Sequence, residues 1–183
     1  MKIDRFNITN NRCFIIAEIG NNHNGSYDKA VEMIDLAVEM KVDCVKFQMR
    51  HLDQVYRKKS LTKSGEDLGT EYIIDLLNRF ELSIVEHRSL SEYCEKKGIL
   101  YMCTPWDSKS IEVLESFGVK AYKVASADLT NLPLLDQLSK TNKPLILSTG
   151  MSKVEEVENV KLFLEKRNVE FVFLHCNSTY PAP

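Results

Sequence analysis

The chain has 183 residues, with 24 basic against 26 acidic side chains, and is 44% hydrophobic and 27% charged. That is the make-up of an ordinary globular domain, long enough to bury a sizeable core. A net charge of −2 gives no electrostatic footprint for nucleic acid or an anionic membrane surface, and no apolar run is long enough to span a bilayer.

The opening Met1–Phe6 lacks the basic and apolar regions of a signal peptide, so a cytoplasmic location is expected. Phe14–Gly20 is a compact apolar run and reads as the first strand. Tyr27–Met40 carries Ala30, Val31, Ile34, Ala37 and Val38 at helical period. Cys44–Gln48 is the second strand. A polar loop with Arg57, Lys58 and Lys59 is expected over His51–Gly69. Thr70–Phe80 and Ser83–Lys97 read as helices, the latter closed by Gly98. Ile99–Thr104 is the third strand, Ser108–Phe117 a helix, Ala121–Ser126 the fourth strand and Leu134–Lys140 a short helix. Pro144–Thr149 is the fifth strand. Ser152 is expected to open a helix over Lys153–Arg167 with Glu155 completing a capping box, and Val169–Cys176 is the sixth strand.

Strand–helix alternation predicts parallel strands with right-handed crossovers. A doubly wound sheet would carry a glycine-rich phosphate loop after its first strand. Here Gly20 and Gly25 bracket Asn21-Asn22-His23-Asn24, which is not that loop. A (β/α)8 barrel needs about 250 residues. The expectation is therefore an α/β chain of one domain over residues 1–183, an incomplete (β/α)8 TIM barrel with six parallel strands.

Two lysines stand where a buried strand should not carry charge. Lys46 lies in Cys44-Val45-Lys46-Phe47-Gln48 and Lys123 in Ala121-Tyr122-Lys123-Val124. An interior ammonium is costly unless an anion compensates it. In a barrel the chemistry gathers at the C-terminal strand ends. Those ends carry Glu18, Lys46 with Gln48, Thr104, Ser126 after Lys123, Ser148, and Asn177-Ser178-Thr179-Tyr180. Period two puts Lys46 and Gln48 on one face. Two ammonium groups and three hydroxyls suit an anion with both carboxylate and phosphate, and Glu18 adds an acid/base group.

Other polar residues carry blander expectations. His23 reads as a loop hydrogen-bonding residue and Trp106 as packing. His51 and His87 read as surface or loop residues, and His175 as an inward polar position or a core histidine. The cysteines Cys13, Cys44, Cys94, Cys103 and Cys176 are scattered, and the expected state is reduced thiols, four of them in apolar settings. No histidine pair has metal-ligand spacing.

These segments, Phe14 to Gly25, Val45-Lys46-Phe47-Gln48, Cys103-Thr104-Pro105, Lys123 to Asp128, Leu147 to Met151, and His175-Cys176 with Tyr180-Pro181, resemble the sialic acid synthases, with the legionaminic and pseudaminic acid synthases. The resemblance implies a (β/α)8 barrel with a small antifreeze-like domain. It implies condensation of phosphoenolpyruvate with an N-acetylated mannose-type sugar, using a divalent metal (Mn or Mg), in a homodimer when complete. By resemblance, Lys46 and Lys123 hold phosphoenolpyruvate, Thr104 meets its carboxylate, and Ser126 and Ser148 meet its phosphate. Glu18 is the acid/base residue, and Gln48 and Tyr180 face the sugar. Ser178 stands, beside Asn177, where some members place a phosphate-contacting asparagine. The family's metal-binding histidines and its antifreeze-like domain have no counterpart here, so the expectation is no metal site in this chain and no synthase activity from the 183 residues alone. A Schiff-base aldolase using Lys123, a non-catalytic binding or assembly module, and the related 3-deoxy-keto-acid phosphate synthases are the competing readings.

Overall fold

The computed structural model describes residues 1–9, 11–56 and 68–179, with the backbone alone for 68–73. Strand and helix alternate as the apolar periodicity demands. The six strands expected from the sequence are β3 (Ile16–Gly20), β4 (Cys44–Met49), β5 (Leu100–Pro105), β6 (Tyr122–Val124), β7 (Leu145–Ser148) and β8 (Phe171–Leu174), hydrogen-bonded in chain order. With helices between them, this is the architecture of an incomplete (β/α)8 barrel. The chain divides into two compact units, Ile15–Tyr101 and Met1–Phe14 with Met102–Pro183.

In the unit Ile15–Tyr101, β3 and β4 pair in parallel, with Ile16 opposite Cys44 and Glu18 opposite Lys46. Helix α1 (Tyr27–Glu39) follows β3, and its first turn is capped by Ser26, whose side chain accepts from Lys29 N–H. It buries Ala30, Ile34 and Ala37. A short helix α2 (Leu52–Val55) breaks the expected loop, since Leu52 is buried and anchors one turn. The expected Arg57-Lys58-Lys59 cluster lies outside the described residues. Helix α3 (Leu68–Phe80) precedes α4 (Ile84–Lys97), which starts on a reciprocal capping box between Ser83 and Glu86 and ends on left-handed Gly98. Tyr93 and Lys97 of α4 both bind Asp35 of α1, tying the two helices together. Phe47 stacks on Tyr101 at a centroid distance of 5.4 Å in the core beneath.

The other unit contains β6, β7 and β8 and most of β5. Tyr122 pairs with Leu145, Lys123 with Ile146, and Ser148 with Leu174. Helix α5 (Ser108–Phe117) is capped by Asp107, and α6 (Leu132–Ser139) by Asn131 with a proline in its first turn. The expected cap of α7 (Val154–Glu165) is corrected by one residue. Lys153, not Ser152, is the N-cap, and Glu156, not Glu155, reaches back to its backbone N–H at 2.7 Å. The chain also opens on an antiparallel hairpin, β1 (Lys2–Ile3) and β2 (Phe6–Asn7), that two-residue strands are too short to announce. Phe6 holds it by an edge-on contact with Phe14, and the Arg5 and Arg12 guanidinium groups lie over its ring.

Candidate active site

Each unit brings some of the expected site residues together. In Ile15–Tyr101, register places Glu18 and Lys46 side by side on one face, and their ion pair closes at 2.8 Å. The lysine side chain is only 5% exposed while the glutamate is 54% exposed, so the carboxylate is the solvent-facing partner of a buried ammonium. Between Glu18 and Gly20 the strand advances two residues against one on β4, a bulge of the kind that re-aims side chains beside active sites. Gly20 sits in the left-handed region at φ +54, and a Cβ there would stand 3.2 Å from Glu18 Oε1 and 3.4 Å from Gln48 Nε2. The bulge thus brings the Gly20 backbone close against a carboxylate oxygen and an amide nitrogen, leaving little room for a side chain. Gln48 in turn accepts a hydrogen bond at Oε1 from Arg50.

Beside this group lies a small cavity of about 10 Å³, roughly the room for one water, lined by Asn21, His23, Gln48, Arg50, Leu77, Phe80, Glu81 and Leu82. His23 is buried, and its Nδ1 accepts from Gly25 N–H at 3.1 Å, so it serves the turn as expected. Burial lowers its pKa. His87 corrects the surface reading. It is 2% exposed on α4, with Nδ1 at 2.9 Å from Tyr101 Oη, and burial lowers its pKa to about 4. Its helical position faces inward, which a lone histidine in a polar stretch does not reveal.

In the other unit Lys123 is 8% exposed, and its Nζ donates to Ser148 Oγ at 2.5 Å and to Val124 O at 2.7 Å. Ser148 Oγ also accepts from the Cys176 thiol at 3.3 Å. Ser126 opens the 3-10 turn after β6, and its Oγ accepts from Gly150 N–H at 3.2 Å. At Gly150 a Cβ would meet Ser178 Oγ at 2.7 Å and the Cys176 carbonyl at 3.2 Å. Lys123, Ser126, Ser148 and Ser178 therefore form one cluster of donors around the ends of β6, β7 and β8. Thr104 is buried at the end of β5.

Tyr180 lies outside the described residues. His175 is exposed, which overturns the core reading: it stands just past β8, where the strand has left the packed layer. Of the thiols, Cys44, Cys94 and Cys103 are buried, Cys176 half-buried and Cys13 exposed, all reduced. Burial pushes Cys94 up to about 12. Among the described residues no helix is long and apolar enough to cross a membrane, and no three His, Cys, Asp or Glu side chains group as metal ligands. Sequence reasoning missed Arg50 and Cys176 as members of the site. The signal for Cys176 was its period-two spacing beyond Leu174, the strand partner of Ser148; Arg50 gave none.

Parallel strands in chain order with helices between them, bearing buried lysines and hydroxyls at the strand ends, define a protein of the barrel class. The NeuB family model matches residues 33–183. An uncharacterized protein of Methanocaldococcus jannaschii is 43% identical over 93% of this chain and 48% of its own length. The human N-acetylneuraminate-9-phosphate synthase is 36% identical over 92% of this chain and 48% of its own length. The crystal structure of N-acetylneuraminic acid (sialic acid) synthetase from Leptospira borgpetersenii, in complex with citrate, superposes with a TM-score of 0.86 and 33% identity over 100% of this chain and 61% of that one. The chain belongs to the NeuB family, and it spans about half the length of the curated relatives it matches.

Proposed function

We propose that these residues form the phosphoenolpyruvate-binding part of a nonulosonic acid synthase, which condenses phosphoenolpyruvate with an N-acetylated mannose-type sugar and releases phosphate. The observation that carries the reading is the contact of the buried Lys123 ammonium with Ser148, within a cluster that adds Ser126 and Ser178. Such a nest of donors around a strand-borne cation suits a phosphate. Lys46, buried and paired with the exposed Glu18 carboxylate, is the second lysine this reading assigns to phosphoenolpyruvate. Thr104 then takes the carboxylate, and Gln48 and Tyr180 face the sugar.

In this reading the methylene carbon of phosphoenolpyruvate attacks the sugar aldehyde. Water adds to the carbon bearing the phosphate, and the tetrahedral intermediate expels phosphate by C–O cleavage. The lysines stabilise the departing charge, and Glu18 moves the proton. A divalent ion would polarise the aldehyde in the complete enzyme. Among the described residues no three His, Cys, Asp or Glu side chains group to hold it. The 183 residues are then one domain, the N-terminal part of a synthase barrel with no turnover of its own.

The test uses the full-length protein with manganese, N-acetylmannosamine, and phosphoenolpyruvate carrying heavy oxygen at the bridging position. Labelled phosphate is expected, since C–O cleavage leaves the bridging oxygen on phosphorus. Unlabelled phosphate, or borohydride trapping of Lys123 with a carbonyl substrate, would overturn the reading in favour of other chemistry.

A further inference from the structure

We infer that Arg50 is a positioning residue: its guanidinium holds the Gln48 amide with the NH2 group turned toward Glu18 and Gly20. The inference rests on the synthase reading only for its kinetic consequence. Guanidinium has five N–H donors and no acceptor. The end of the Gln48 amide that faces Arg50 must therefore be the carbonyl, as found, with Arg50 Nη2 donating to Gln48 Oε1. The other end, Nε2, then lies against Gly20, on the side where Glu18 Oε1 also approaches. Glu18 Oε2 is meanwhile taken by Lys46.

Gln48 Nε2 and Glu18 Oε1 thus stand on the same side of Gly20, one N–H donor and one carboxylate acceptor. That pairing is complementary to a hydroxyl, which donates to Glu18 Oε1 and accepts from Gln48 Nε2. Turning the amide over would present two acceptors to the same hydroxyl and lose one bond. Arg50 holds the amide against that rotation.

Two measurements on the full-length protein test this. The first needs no activity: with [15N]glutamine labelling, the Gln48 amide pair is assigned by its loss in Gln48→Ala. Its solvent exchange is expected to be roughly tenfold faster in Arg50→Met than in wild type, and slowed again in Arg50→Lys. Equal rates in wild type and Arg50→Met would overturn the inference. The second is a double-mutant cycle on the acceptor-sugar KM. Arg50→Met is expected to raise that KM about tenfold, with the phosphoenolpyruvate KM unchanged, and to have no effect in a Gln48→Ala background. Additive effects would sink the positioning role while leaving the synthase reading intact. Absence of turnover in wild type would sink the synthase reading, and the exchange measurement would still decide the role of Arg50.

Discussion

Lys123 Nζ and Ser148 Oγ are 2.5 Å apart although the residues are 25 positions apart in the chain. The register explains it. Lys123 pairs with Ile146 on the neighbouring strand, and Ser148 is two residues further along, on the same face and at the strand's end.

Lys123 is expected to favour ligand over stability. It is buried, so its ammonium carries a desolvation cost against which its bonds to Val124 O and Ser148 Oγ are set. Lys123→Met in the full-length protein should weaken phosphoenolpyruvate binding roughly 100-fold by calorimetry. The same variant should keep or raise the melting temperature. A lower melting temperature with unchanged binding would assign the lysine to structure.

Gly150 is required by close approach, not by backbone conformation. Its Cβ would press on Ser178 Oγ at 2.7 Å and on the Cys176 carbonyl at 3.2 Å. Gly150→Ala should cost about 1–3 kcal/mol in denaturant unfolding and disturb the Gly150 N–H bond to Ser126. Adding Ser178→Ala should recover part of that loss. Full stability in Gly150→Ala would show that the segment after β8 yields freely.

His87 makes stability fall with acid. The unfolded chain takes up the proton as pH drops through 6.5, while native His87 stays neutral until about 4. Stability present above pH 6.5 is therefore lost across that window, by about 3 kcal/mol for this group. Denaturant unfolding at pH 7.5 and at pH 4.5 should register the loss, and His87→Leu combined with Tyr101→Phe should reduce it. An unchanged pH dependence in the double variant would place the acid sensitivity elsewhere.

Strand β8 should make the 183-residue chain associate when it is prepared by itself. Phe171, Val172, Phe173 and Leu174 are all half-buried, and among the described residues β8 is hydrogen-bonded to a strand on one side only, by β7. Light scattering is expected to show oligomers, reduced by Phe171→Lys with Phe173→Lys, and manganese with both substrates should give no turnover. A monodisperse, active monomer would contradict both expectations.

Apolar periodicity by itself determined the strand–helix alternation and the parallel sheet, because a buried strand and an amphipathic helix each impose a repeat that no loop shares. Charge inside such a repeat likewise marked Lys46 and Lys123. Packing across the sheet decided what no local pattern carries: the Glu18–Lys46 pair, the grip of Arg50 on Gln48, the approach of Ser178 to Gly150, and the burial of His87. Each of these depends on register between distant segments, or on which way a helix faces, and neither is written in the residues nearby.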